Sequence, residues 1–91
     1  MAVMVRVPTP LRRLTNGQDK LEVEAASISE MIDNLETGFP GFKERLLDES
    51  GELRYFVNIY LNGEDVRFLE GVGTITNSGD EVSIVPAVAG G

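Results

Sequence analysis

Hydrophobic and polar positions follow two different periods along this chain, and the changes of period mark its elements. Val3-Met4-Val5-Arg6-Val7 is rich in β-branched residues and is stopped by Pro8, which predicts a strand. Lys20-Leu21-Glu22-Val23-Glu24 alternates polar and apolar positions, the period of a half-exposed strand returning beside the first. Between them, Pro8 to Asp19 contains Pro10, Asn16 and Gly17 and reads as a long connection. Leu11 and Leu14 allow it one helical turn tucked under the sheet, with Arg12 and Arg13 facing water. The period changes at Ser27. Ile28, Met31, Ile32 and Leu35 recur at helical spacing and share one face, which predicts a helix over Ser27 to Glu36 with Met31 in the core. Ser27 and Glu30 have the spacing of a capping box, Gly38 suits the far cap, and Pro40 prevents continuation. Phe42, Leu46 and Leu47 suggest a second, shorter helical piece.

The second half reverts to the period of a sheet. Leu53 to Leu61 reads as the longest strand, with Val57, Ile59 and Leu61 on one side and Phe56, Asn58 and Tyr60 on the other. Asn62-Gly63 is a two-residue hairpin signal, since a type I′ turn needs positive φ at both positions. Asp65-Val66-Arg67-Phe68 then returns as a short strand, and Leu69 to Thr76 is irregular. Asn77-Ser78-Gly79-Asp80 is a second tight turn, and the apolar run Val82 to Val85 predicts a buried last strand. The fold class is α+β: a small mixed sheet of about five strands, with one main helix on one face. The other sheet face is expected to be open, and Phe56 and Tyr60 would point to it as docking residues, with Phe68 a weaker candidate.

Composition narrows the chemistry. The chain of 91 residues is one small domain, with residues 1–86 as its body and 87–91 as a flexible tail. It contains no cysteine, which excludes disulfides and thiol chemistry and suits a reducing cytoplasm. It contains no histidine, the commonest general base and transition-metal ligand. A net charge of −7 disfavours nucleic acid, and no apolar run is long enough to cross a bilayer. The acidic pairs Glu64-Asp65 and Asp80-Glu81 sit in turns, where carboxylates face water, and Asp48, Glu49 and Glu52 lack the alternation of a calcium loop. Gly71-Val72-Gly73 lacks the strand–turn–helix setting of a phosphate cradle. No catalytic residue and no metal site is read from the chain, which points away from an enzyme.

What remains is the terminus. Pro86-Ala87-Val88-Ala89-Gly90-Gly91 carries no side-chain charge, although 25% of the chain is charged. After the proline these residues can neither build a helix nor fill a core, so they read as a narrow arm presenting the carboxylate of Gly91. That group has a pKa near ~3.5, is ionised at neutral pH and is a poor electrophile. Joined by a partner enzyme to AMP from ATP, it becomes a mixed anhydride that a sulfur nucleophile can attack, giving a thiocarboxylate on Gly91. Such chemistry needs an arm thin enough to thread a partner's channel, and Gly90 and Gly91, without Cβ atoms, meet that need behind Ala87, Val88 and Ala89.

These residues resemble a known family. Phe56-Val57-Asn58-Ile59-Tyr60-Leu61-Asn62-Gly63-Glu64-Asp65-Val66-Arg67-Phe68 is similar to the central hairpin of the ubiquitin-like sulfur carriers. The stretch from Asp80 to Gly91 resembles their last strand and tail, and Phe39-Pro40-Gly41 with Arg45-Leu46-Leu47-Asp48 also matches. The resemblance implies a β-grasp fold, a ubiquitin-activating-type adenylyltransferase as partner, and Gly91 as the thiocarboxylate. The hairpin and the Ala-Val-Ala-Gly-Gly ending look most like the carrier of cysteine biosynthesis. That branch implies a pyridoxal-phosphate cysteine synthase and a zinc metalloprotease as further partners, with the cofactors on the partners and none on this chain. The small subunit of molybdopterin synthase, which works with a larger catalytic subunit, the thiamine-pathway carrier and a ubiquitin-like protein modifier are the alternatives.

Overall fold

The computed structural model describes residues 2–86. Strands β1 (Ala2–Arg6) and β2 (Lys20–Glu24) come first, then helices α1 (Ile28–Gly38) and α2 (Phe42–Leu46), then β3 (Val57–Leu61), β4 (Glu64–Asp65) and β5 (Glu81–Pro86). Among the described residues these strands form one sheet in the order β2-β1-β5-β3-β4. β1 is antiparallel to β2 and parallel to β5, and β3 is antiparallel to both β5 and β4. The sheet is mixed because the last strand is inserted between the first and the third. With α1 across one face, this is the β-grasp arrangement.

The inward face of the sheet is built by the alternation read from the sequence. Val3, Val5, Leu21, Val23, Val57, Ile59, Val82 and Ile84 are buried beneath α1, which contributes Ile28, Met31, Ile32 and Leu35. Phe42 and Leu46 of α2 close one end of the same core. Each buried aliphatic side chain contributes on the order of 1.5–3 kcal/mol of transfer free energy, so this layer is the main source of stability.

α1 starts where its sequence signal places it. Ser27 adopts extended backbone, and its hydroxyl accepts from the Glu30 N–H at 3.1 Å. Glu30 reaches back to the Ala26 N–H at 2.7 Å rather than to that of Ser27, one residue further than a standard capping box. Ser27→Ala should therefore cost about 1 kcal/mol, measured as a lower denaturation midpoint at unchanged slope. An unchanged midpoint would show that the cap does not hold the helix. The helix runs to Gly38 and Phe39 ends it, so Gly38 is its last residue and not its cap.

Three strand expectations are corrected. The strand expected over Leu53 to Leu61 begins only at Val57, because Leu53 bridges to Leu47 and the chain turns with the Val57 N–H donating to the Arg54 carbonyl. The return strand after the hairpin is confined to Glu64–Asp65. Val66–Phe68 is a 3₁₀ turn, because the Asp65 carboxylate accepts from the Arg67 N–H at 2.8 Å and Val66 is drawn fully into the core. Val85, expected in a buried run, is 42% exposed, because β5 alternates: Val82 and Ile84 face α1 and Val85 faces away.

Candidate functional site

The position of Pro86, the last described residue, is set by the hairpin and by β5. Asn62 and Gly63 both have positive φ, 52° and 87°, the requirement of the tight turn. The Asn62 side chain then ties that turn to the start of β5: its amide donates to Asp80 Oδ1 at 3.1 Å, and its oxygen accepts from the Glu81 N–H at 2.9 Å. β5 is thus anchored at its first residue and paired on both sides at Val82 and Ser83. Beyond Ser83 only β3 accompanies it, and Pro86 lies opposite Val57. The described residues end there, at the end of the sheet's middle strand. Ala87, Val88, Ala89, Gly90 and Gly91, the sequence-predicted reactive terminus and arm, lie outside the described residues.

The sheet face away from α1 is open beside Pro86. The register places Arg6, Ser83, Tyr60 and Asp65 in one row across four strands, with Val85 and Asn58 in the next row toward Pro86. Arg6 pairs with Glu81 at 3.1 Å, an exposed ion pair worth no more than about 1 kcal/mol. The Arg67 guanidinium donates to Asn58 Oδ1 and to the Arg54 carbonyl, both at 2.6 Å, which pins the chain after β4 against the beginning of β3.

The three aromatic candidates stand on three different elements. Tyr60 is half-buried on the open face. Phe56 is 39% exposed in the turn before β3, edge-on to Tyr55 at 5.4 Å, and it lines a groove with Pro86. Phe68 is 83% exposed in the 3₁₀ turn after β4. Sequence reasoning missed Tyr55, which is 91% exposed, and Val85. The alternation of β5 was a usable signal for Val85. Tyr55 had no such signal, because it fell inside the strand expected over Leu53 to Leu61, which begins only at Val57. Among the described residues no group of three or more acidic side chains could hold a metal ion, and no helix is long and apolar enough to cross a membrane.

A ubiquitin-like β-grasp body whose middle strand delivers the last residues of the chain defines a class of small carrier and modifier proteins. The model of the ThiS family matches residues 5–91, and the chain belongs to that family. It is 47% identical to the sulfur carrier protein CysO of Mycobacterium tuberculosis over 93 residues, covering 100% of both chains. It superposes on the crystal structure of the Amycolatopsis orientalis BexX/CysO complex with a TM-score of 0.93 at 44% identity, covering 99% of this chain and 100% of that one. Small archaeal modifier protein 3 of Haloferax volcanii is 39% identical over 66 residues, covering 72% of this chain and 71% of that protein. The resemblance to ubiquitin-like sulfur carriers, read from the hairpin and the ending, therefore holds along the whole chain.

Proposed function

We propose that this protein carries sulfur on a thiocarboxylate at Gly91, as the terminal residue, and delivers it for cysteine biosynthesis. The observation that carries this reading is the full-length identity of 47% to a CysO sulfur carrier. The placement of Pro86 at the end of the middle strand, followed by five uncharged residues, supports it. A ubiquitin-activating-type partner brings ATP to the Gly91 carboxylate. A carboxylate oxygen attacks the α-phosphorus, pyrophosphate leaves, and an acyl-adenylate remains. A sulfur nucleophile then attacks the carbonyl carbon and AMP departs with the bonding pair. The protein contributes the deliverable end and a body to hold, and the partners contribute the cofactors and the catalytic groups. In the cysteine branch a pyridoxal-phosphate synthase receives the sulfur, and a zinc metalloprotease frees cysteine from the carrier.

Co-purification from the native cell tests the branch. Recovery of an adenylating enzyme together with a pyridoxal-phosphate enzyme is the expected result. A pterin-binding subunit would assign the chain to molybdopterin synthase instead, and a ladder of covalent conjugates would make it a modifier.

Partner docking should depend on Phe56. Its 39% exposure beside Pro86 lets it give area to a partner at little cost to the isolated fold. Phe56→Asp should weaken retention of the adenylating partner at least about tenfold, roughly 1.4 kcal/mol, while the melting temperature stays near that of the native protein. A large fall in melting temperature would mean that Phe56 serves the core.

A further inference from the structure

Three exposed aromatic residues stand on turns, where little burial holds them. Tyr55 and Phe56 are the two central residues of a turn closed by the Val57 N–H donating to the Arg54 carbonyl at 3.0 Å. Phe68 ends the 3₁₀ turn after β4. One side chain joins the two turns. The Arg67 backbone is set by the Asp65 carboxylate and by its neighbour Val66, which is fully buried. Its guanidinium then crosses to the other turn, with Nη1 donating to Asn58 Oδ1 and Nη2 to the Arg54 carbonyl. That carbonyl accepts twice, using both lone pairs, once from its own turn and once from Arg67. Arg54 is tied on its other side to α2, its N–H donating to the Leu46 carbonyl and its Nε to the Glu44 carbonyl, each at 3.0 Å.

We infer that Arg67 is a positioning residue for partner docking: its fork holds the Arg54–Val57 turn so that Phe56 meets the adenylating partner already in place. The inference rests on the functional reading above, in which Phe56 docks that partner. Phe56 lines the groove that Pro86 also lines, and Tyr55 stands edge-on to it. A loop that must be ordered at binding subtracts that ordering from the affinity, and a turn held beforehand does not. Both acceptors of the Arg67 guanidinium are uncharged, so what the site takes from it is geometry rather than charge. A guanidinium presents its donors in a rigid fork and reaches two elements at once, whereas an ammonium is a point donor on a flexible stem. Arg67 touches the partner through Phe56 alone, and the aromatic ring gives the contact.

Steady-state adenylation by the partner recovered in co-purification, with the concentration of this chain varied, tests the inference on Arg67→Ala and Arg67→Lys well below their melting temperatures. Both variants should raise the KM for this chain about tenfold and leave kcat within about twofold, the signature of lost docking. In a Phe56→Ala background, Arg67→Ala should raise KM by less than about a further twofold, because the two residues act through one contact. An undiminished loss in that background, or recovery of the native KM by Arg67→Lys, would overturn the proposal, since Arg67 would then meet the partner through its own charge. A native KM in Arg67→Ala would overturn it as well. Spectra of the free protein give a readout that needs no partner. In Arg67→Ala the backbone order parameters of Tyr55 and Phe56 should fall from the ~0.85 of rigid backbone toward ~0.6, while those of β1 and β5 stay as they are. Unchanged values at Tyr55 and Phe56, or a loss spread over the strands, would show that Arg67 does not hold this turn in particular and would overturn the proposal. A native chain that is not adenylated would overturn the carrier reading instead, and the spectra would still decide whether Arg67 holds the turn.

Discussion

A chain lacking Gly91, or extended by one residue beyond it, should fold like the native protein and accept no sulfur. The folding half follows from the core, whose last buried member is Ile84, two residues before the end of β5. The loading half follows from reach. Deletion withdraws the carboxylate by one residue, about 3.3–3.6 Å. Misplacement by even about 1 Å can cost roughly 100-fold in a positioned reaction, so the loss on deletion should exceed that. Extension converts the reacting carboxylate into an amide, which is not adenylated. The absence of cysteine makes the assay selective, because a thiol-directed alkylating reagent has no target on this chain except a thiocarboxylate. The native chain, incubated with its activating partner, ATP and a sulfur source, should take up label, and both variants should take up none. Labelling of the extended variant, with its extension still attached, would remove Gly91 from the mechanism.

Phe42→Ala should produce the largest loss of stability among single core truncations. Phe42 is fully enclosed at the start of α2 and is among the largest side chains so buried. Removing a ring from such a site costs about 3–5 kcal/mol, the sum of lost transfer free energy and the cavity left behind. A small domain has only about 5–15 kcal/mol in total. The melting temperature should fall by at least about 12 °C, taking roughly 4 °C per kcal/mol. A fall of only a few degrees would show that α2 closes over the ring loosely. Whatever fraction stays folded should still load sulfur, because Gly91 is untouched.

The parts of the fold that were legible in the sequence are those decided within a few residues of themselves. Ile28, Met31, Ile32 and Leu35 make a helical stripe that no other element could use, and all four are buried. Asn62-Gly63 specifies its turn through φ alone. The errors arose where a side chain redirected the backbone or where the partner strand was distant in sequence. Asp65 turns the chain after two residues of β4 by accepting from the Arg67 N–H, an interaction that alternation cannot show. The insertion of β5 between β1 and β3 is a long-range pairing, and with it come the exposure of Val85 and the placing of Pro86 beside Phe56. Gly91 was named from chemistry, because a chain without histidine or cysteine leaves few other reactive groups. The groove beside Pro86 could not be read in advance, since Leu11, Leu46, Phe56 and Val57 meet only in the folded chain.

Sulfur carriage at Gly91 is read out by the intact mass of the protein isolated from its own cell, with its C-terminal peptide sequenced in the same spectrum. The expected species is heavier by the replacement of one oxygen with one sulfur, with the difference carried by Gly91. A population of unmodified chains alone, or one found only in linkage to other proteins, would contradict it.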